Sequence, residues 1–543
     1  MTLSLHRSAR LASAGLLFTA LAACGGGSGG IGSDSGGVPP PPSCVSTATV
    51  VCTQYGQLQG AVEGGYRAFR GIPFAAPPVG NLRWRPPAAP ASWTGVRSAT
   101  TFGNRCPQID LSGALLGDED CLTLNIFGVN PPASSKQPVM VFIHGGAERL
   151  GSAQDPPWNA VPPLASHGVI VVTVQYRLGL LGFLAHPLLT AEGQGSSGNY
   201  GLMDLIAALK WVHNNIAEFG GDPAKVMIFG ESAGSENVQA LLASPAAAGL
   251  FWAAGMESYV LKADEIGTKV DDAYPWYAGL ESLVSCDTAA DVLACLRSVP
   301  ADTLVQTSIN SIATGWVNIE PGVLPEDPFN KLQRLGSPVP LLIGSNSDEE
   351  AFSYVASGPT LDASGYAASV HTQFDALAVG AGDTILSLYP ATDYTNPNYA
   401  LNAVETDALF TCSTRNLARA VSGAQRPAVW RYLFTHRYEN DANLNTVRAF
   451  HTAELPFVSG NLQTGSLVVP YSPSDAETAL SNEMMDYWAR FAATGDPNGS
   501  GAVQWLPYDG GENILQLDDS TVTLTGGYRN AQCDFLSTLP IIF

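Results

Sequence analysis

The stretch Lys225-Val226-Met227-Ile228-Phe229-Gly230-Glu231-Ser232-Ala233-Gly234 constrains this chain more than any other. A short β-prone apolar run ends at Phe229 and passes at once into a G-x-S-x-G turn. Residues 237–244 then read as a helix with Val238, Leu241 and Leu242 on one face. Strand, sharp turn, helix is the context in which a serine sits at a strained apex and projects its hydroxyl above a sheet edge. Gly230 and Gly234 leave room for strand and helix to pass close by. Ser232 is therefore the candidate nucleophile. The amide of Ala233, at the helix N-terminus, points into the same space, where it can stabilise negative charge.

Upstream, Val139-Met140-Val141-Phe142-Ile143 reads as a buried strand, and His144-Gly145-Gly146-Ala147 follows it. Small residues there let backbone N–H groups approach a substrate oxygen. Two such amides, with that of Ala233, would hold a tetrahedral oxyanion, and losing one such donor costs about 3–4 kcal/mol. His144 reads as a brace for this loop. The chain order for such a site is serine, then acid, then histidine. Of the eight histidines, His371, His436 and His451 follow a suitable acid. His371 falls in a segment that reads as helix. His436 directly follows the strand-like Val429-Trp430-Arg431-Tyr432-Leu433-Phe434, whereas His451 stands further on, in Ala449-Phe450-His451-Thr452-Ala453-Glu454. A base is usually carried on a loop beyond a late strand, which favours His451 and leaves His436 as the alternative. The acid should follow the strand at 339–343, where Asp348, Glu349 and Glu350 all stand, and side-chain chemistry alone does not choose among them.

The chain has 543 residues, 45% hydrophobic and 14% charged, enough to bury one large core. Its formal charge of −22 repels phosphate backbones and argues against a nucleic-acid partner. Residues 1–23 carry His6, Arg7 and Arg10 and then an apolar stretch too short to span a bilayer, the layout of a secretory signal. The segment ends in Leu21-Ala22-Ala23-Cys24, which resembles the lipobox of bacterial lipoproteins. That resemblance implies cleavage before Cys24, lipidation of its thiol, and an exported protein attached to a membrane through lipid alone. Residues 25–43, Gly/Ser-rich and then Pro-rich, read as a tether, and residues 44–543 as one large domain. Eight further cysteines in an exported chain suggest four disulfides. Neighbouring pairs would close short loops at Cys44–Cys52, Cys106–Cys121 and Cys286–Cys295, leaving Cys412–Cys533 to pin the C-terminal segment. No C-x-x-C or paired His/Cys spacing suggests a metal site, and no cofactor is expected.

Further motifs fall in one order along the chain. They are Phe69-Arg70-Gly71-Ile72-Pro73-Phe74, Glu119-Asp120-Cys121-Leu122, Tyr176-Arg177-Leu178-Gly179, Asn199-Tyr200-Gly201-Leu202, Phe219-Gly220-Gly221-Asp222-Pro223, the serine turn, and Asp486-Tyr487-Trp488-Ala489-Arg490-Phe491. Together they resemble the type-B carboxylesterase/cholinesterase family of α/β-hydrolases, over roughly residues 50–540. The resemblance implies a large, mostly parallel twisted sheet flanked by helices, with N-terminal antiparallel strands. It implies hydrolysis of carboxylic esters by a triad of Ser232, Glu349 and His451, with oxyanion amides at Gly146, Ala147 and Ala233. It also implies disulfides 106–121, 286–295 and 412–533, whereas 44–52 rests on proximity alone. Ion pairs Arg83–Glu119 and Arg177–Asp204 follow as structural clamps. Glu231, Ser258 and Asp407 match supporting positions around the triad.

Departures from the family pattern are informative. Glu148 and Arg149 stand where an aromatic usually follows the oxyanion residues. Glu350 replaces a usual Gly, Glu257-Ser258-Tyr259 a usual Gln-Ser-Gly, and Ser235-Glu236 residues that are commonly small. Glu148 is expected either as a solvated surface carboxylate or at the mouth of the substrate pocket; for Glu236, Glu257 and Glu350 the sequence leaves the facing open. The 106–121 loop has no Trp, which disfavours choline esters. The expected partner is a small-molecule or polymeric ester. Amide or carbonate cleavage on the same triad, and a catalytically inert adhesion module, are the rival readings.

Overall fold

The structure, a computed structural model, describes residues 46–540 apart from 111, 130–135, 262–268, 312–316, 424–425 and 465–469. Cys24, the 25–43 tether and Cys44 lie outside the described residues. Eleven strands make the main sheet: β1 (Ala61–Glu63), β2 (Tyr66–Pro73), β3 (Thr123–Val129), β4 (Gln137–Ile143), β5 (Ile170–Val174), β6 (Gly221–Glu231), β7 (Ala253–Glu257), β8 (Leu341–Asn346), β9 (Val429–Phe434), β10 (Ile514–Leu517) and β11 (Val522–Leu524). Their spatial order is β11-β10-β9-β8-β7-β6-β4-β5-β3-β2-β1. Every pairing from β5 through β4 and β6 to β10 is parallel. The N-terminal strands β1, β2 and β3, and the edge strand β11, pair antiparallel.

Period-2 alternation sends the apolar residues of the central strands into two cores. Val139, Val141 and Ile143 of β4 and Val226 and Ile228 of β6 enter one; Met140, Phe142, Met227 and Phe229 enter the other. The first core is covered by helix α1 (Tyr200–Asn215), through Leu202, Leu205 and Leu209, and by α2 (Ala233–Ala243), through Val238, Leu241 and Leu242. The second is covered by α3 (Asp475–Thr494), through Leu480, Met484, Trp488 and Phe491. Each such side chain, fully buried, contributes about 1.5–3 kcal/mol. Helix α3 is framed by local chemistry. Ser474 and Glu477 form a reciprocal capping box at its start, and Gly495 at φ 74° ends it.

Strand order explains where the site lies. From β4 the chain moves outward to β5, then returns past β4 to β6 and proceeds the other way. Winding reverses between β4 and β6, which opens a crevice at their carboxyl ends. The His144–Ala147 loop leaves one of these strands and Ser232 leaves the other.

Three expected disulfides are formed: Cys106–Cys121, Cys286–Cys295 and Cys412–Cys533. Cys52 is also in a disulfide, but Cys44 is not among the described residues. Both clamps are present. Arg83 Nε donates to Glu119 Oε1 at 2.7 Å, and Arg177 Nε to Asp204 Oδ2 at 2.7 Å. No helix among the described residues is long and apolar enough to cross a membrane.

The Cys412–Cys533 bridge spans 121 residues, so in the chain-entropy account it restricts the unfolded chain by about 4–5 kcal/mol. Replacing both cysteines by Ala is expected to lower the thermal-inactivation midpoint while leaving kcat of the folded fraction within about twofold. Unchanged thermal inactivation would mean that the C-terminal segment is held by packing alone.

Candidate active site

Ser232 occupies φ 57°, ψ −125°, between β6 and α2. For a residue with a Cβ this conformation is costly and must be imposed by its surroundings. Flanking glycines make it possible. A Cβ on Gly230 would sit 2.6 Å from the Gly234 carbonyl carbon and 2.8 Å from Ile143 O, and one on Gly234 would collide with the same Ile143 oxygen. The turn is anchored on both sides. Ser232 N donates to Glu257 O of β7 at 2.9 Å, and Ser232 O accepts from Ser235 N and Glu236 N. Helix α2 thus starts at Ala233, four residues before the apolar pattern alone indicates.

The loop after β4 lies against this turn. A Cβ on Gly145 would be 2.9 Å from Ser232 Cβ. Gly146, Ala147 and Glu148 have φ of 112°, 53° and 56°, three consecutive positive values. Among the described residues the amides of Gly146, Ala147 and Ala233 donate to no acceptor. His144 braces the loop, as expected: its ring stacks on Tyr176 at 4.5 Å, and Tyr176 Oη donates to His144 O at 2.9 Å.

His451 is brought in from beyond β9. Its Nδ1 lies 2.8 Å from Glu349 Oε2 and its backbone N donates to Glu349 O at 3.1 Å. Two further bonds lace this loop to the one after β8: Asp348 N to Ala449 O, and Asn346 Nδ2 to Phe450 O. Asn346 N donates to Glu349 Oε1 at 2.7 Å, so both carboxylate oxygens of Glu349 are held. Phe410 packs on the imidazole at 5.1 Å. His451 Nε2 turns toward the nucleophile turn and lies 3.2 Å from Glu231 Oε1. No hydrogen bond among the described residues joins Ser232 Oγ to that nitrogen.

Three buried carboxyls face this histidine, Glu231, Glu349 and Glu454, and a fourth, Glu257, lies beside Glu231 and Glu454. Burial pushes Glu231 up to about 8 and Glu454 up to about 7, and raises Glu349 and Glu257 as well. Burial alone would make His451 lose its proton more easily. The facing Glu231, Glu349 and Glu454 carboxylates reverse that and raise its proton affinity. Ser258, at φ 54°, places its hydroxyl 3.4 Å from Glu454 Oε1. Trp488 Nε1 of α3 donates to Glu257 Oε1 at 2.7 Å, which ties a core helix to the acid cluster. Glu454 escaped the sequence reading. Its signal is an acid three residues after His451, ahead of Leu455-Pro456.

The structure separates the other candidates. His436 sits in a cage of acids, with Nε2 3.2 Å from Glu477 Oε1 and Nδ1 2.9 Å from Asp519 Oδ1. His371 pairs with Asp375 on its own helix. Asp348 faces Asn402 and Arg448, and Glu350 is half-buried. Asp407 accepts from Tyr389 Oη at 2.8 Å and pairs with Arg529, with no direct bond to Ser232, Glu349 or His451 among the described residues. Glu148 contradicts both of its expected placements. It is fully buried, and Oε1 accepts from Asn237 Nδ2 of α2 at 2.6 Å. Its positive φ turns the side chain inward, beneath the loop, where Glu236 is buried too.

Comparison with known proteins agrees with this geometry. The family model described as "Carboxylesterase family" matches residues 47–536. The para-nitrobenzyl esterase of Bacillus subtilis (strain 168) is 36% identical over 502 residues, covering 88% of this chain and 96% of that protein. The fumonisin B1 esterase of Sphingopyxis macrogoltabida is 35% identical over 485 residues, 84% of each. A solved PNB esterase superposes with TM-score 0.74 at 33% identity, covering 90% of this chain and 100% of that one. Fold, alignment and site together make this chain a member of the type-B carboxylesterase family, an α/β-hydrolase that hydrolyses carboxylic esters.

Proposed function

We propose that the ester is cleaved through an acyl-enzyme on Ser232. The observation that carries this reading is the convergence of a strained Ser232 turn with a histidine whose Nδ1 is 2.8 Å from a buried Glu349. Ser232 Oγ attacks the ester carbonyl while His451 Nε2 takes its proton. The carbonyl oxygen becomes an oxyanion, met by the amides of Gly146, Ala147 and Ala233. His451 then returns the proton to the leaving alcohol. Water activated by the same nitrogen attacks the acyl-Ser232 ester and releases the acid. Glu349 holds the ring tautomer with a proton on Nδ1 and stabilises the imidazolium that forms. Uncharged esters fit a site ringed by buried acids better than esters carrying a free carboxylate, since like charges repel across a low-dielectric gap. Nucleic acid has no place in this chemistry.

We further propose that the chain is exported, cleaved before Cys24 and anchored to a membrane by lipid on that thiol, with residues 25–43 as tether and 44–543 as the catalytic domain. Three formed disulfides favour an oxidising compartment.

Turnover tests the triad directly. Ser232→Ala and His451→Ala are each expected to lower kcat by several orders of magnitude, up to about 10⁶-fold, and the double variant by little more. Glu349→Gln should impair turnover strongly, whereas Asp348→Asn and Glu350→Gln should not. Near-normal turnover in Ser232→Ala would end the mechanism.

The pH profile tests the acid cluster. His451 must be neutral to accept a proton, and the surrounding carboxylates raise its proton affinity. The acid limb of kcat/KM should therefore lie above the ordinary histidine value of about 6.5. Removing one negative neighbour, in Glu231→Gln or Glu454→Gln, should move that limb toward lower pH. A limb unmoved in both variants would show that these acids carry no charge during catalysis.

Fractionation tests the anchor. Cys24→Ala should shift the protein from membrane to soluble fractions, or block its processing, with kcat unchanged. Retention of fully processed Cys24→Ala on the membrane would refute lipidation at that thiol.

A further inference from the structure

Two departures from the family pattern, Glu148 and Glu236, meet Asn237 under the loop after β4. Glu148, on that loop, and Asn237 and Glu236, on α2, are all buried, and Tyr176 is buried beside them. Asn237 Nδ2 donates to Glu148 Oε1 at 2.6 Å and also to Ala233 O at 3.2 Å, so one amide group touches both the loop and the first residue after Ser232. Glu148 O accepts from Gly179 N at 2.6 Å. The segment these contacts hold is strained. Ala147 and Glu148 both have positive φ, a conformation that persists only where neighbours over-determine it.

We propose that Glu148 is a positioning residue that acts as a neutral carboxylic acid, locking the loop that carries the Gly146 and Ala147 amides onto the helix behind Ser232. The inference rests on the reading of that loop as the oxyanion site. It names what holds the amides in place, which no part of the ester-hydrolysis mechanism supplies.

The neutral form follows from counting protons. Tyr176 Oη spends its only proton on His144 O. Glu148 Oε2, on the far side of the carboxyl from Asn237, is buried and faces the Tyr176 hydroxyl, whose proton is already given to His144 O. The titratable groups that face Glu148 are Tyr176, from the segment after β5, and Glu236, which acts on the same phenol from α2. No cation pairs with Glu148 among the described residues. A carboxylate here would be a buried charge with no cation beside it among the described residues, whereas a carboxylic acid brings the proton that the Tyr176 oxygen can accept. Burial accordingly pushes Glu148 up to about 8. A neutral acid also suits the reaction, because an anion beneath the loop would oppose the oxyanion forming above it.

The test uses the full-length protein, a neutral p-nitrophenyl ester, a fluorophosphonate that labels an active serine, and a trifluoromethyl ketone that forms a tetrahedral oxyanion adduct. Glu148→Ala should lower kcat about 10²-fold, as a displacement of about 1 Å does, with KM within about twofold, and weaken the ketone by a similar factor. Asn237→Ala should act in the same direction, and Glu148→Ala/Asn237→Ala should lose less than the product of the two. Glu148→Gln keeps an acceptor for Asn237 and stays uncharged, so it should retain wild-type kcat at pH 7. The ratio of its kcat to wild type should rise above about pH 8, a ratio in which the titration of His451 cancels. Labelled Ser232 with unchanged kcat and ketone affinity in Glu148→Ala would overturn the positioning role and leave the oxyanion reading intact. A wild-type enzyme that neither labels nor binds the ketone would instead sink the oxyanion reading itself. Should Glu148→Ala not fold, Glu148→Gln decides the matter: kcat as low as that of Asn237→Ala would refute a neutral acid.

Discussion

Everything in this molecule depends on one backbone constraint, the passage from β6 into α2 through a serine at φ 57°. The turn can exist only because Gly230 and Gly234 let the two elements approach within contact of Ile143 at the end of β4. That contact does more than accommodate strain. It places the end of β4 beside the end of β6, at the point where sheet winding reverses, so the loop with free amides and the serine hydroxyl open into one crevice. The neighbouring strands complete the assembly through backbone bonds. Ser232 N is held by β7, and His451 N by the loop after β8. Ser232, Glu349 and His451, from three distant parts of the chain, are thus registered by main-chain hydrogen bonds, which are less adjustable than side-chain packing.

The second constraint is electrostatic. A chain of net charge −22 keeps most of its acids in water, yet it buries four in one cluster, three of them facing one imidazole. Their burial is tolerable because charge is shared rather than isolated. Glu349 is bound by Asn346 and His451, Glu257 by Trp488, and Glu454 by Asn346. Raised carboxyl values and a histidine of raised proton affinity are two faces of the same balance: a few protons distributed over a cluster too crowded to ionise completely. The histidine becomes a stronger base at the cost of needing a higher pH to be free. Substrates that add negative charge would disturb that balance.

Much of this was legible in the sequence, and the reasons differ by element. The β6 turn and the strands β4 and β9 announce themselves because alternation and glycine placement are local. The place of His451 beside Glu349 was legible only as a preference over His436, since both follow β9 and the distinction is which loop folds back over the sheet. Choosing Glu349 from three adjacent carboxylates needed the family resemblance, because a shift of one residue on a loop changes direction by an amount that no pattern records. Asp407 shows what such carry-over leaves out. Its position matches, and Arg529 and Tyr389, from distant segments, hold it. Glu454 had a readable spacing from His451, yet its importance comes from three other acids that meet it only in three dimensions.

Glu148 shows why departures from a family pattern should be read jointly. By itself it is an ionisable residue where an aromatic is usual, and by hydropathy it belongs in water. Its positive φ sends it the other way, into a space that Asn237 and Tyr176 make polar. A lone carboxyl at that depth would cost several kcal/mol, and a lone Asn237 under an aromatic would leave a donor unmet. Together they satisfy each other and add side-chain contacts to a strained loop otherwise held by backbone bonds and the His144–Tyr176 pair. Glu148 and Asn237, 89 positions apart, therefore form one structural unit. The burial of neither is understood without the other.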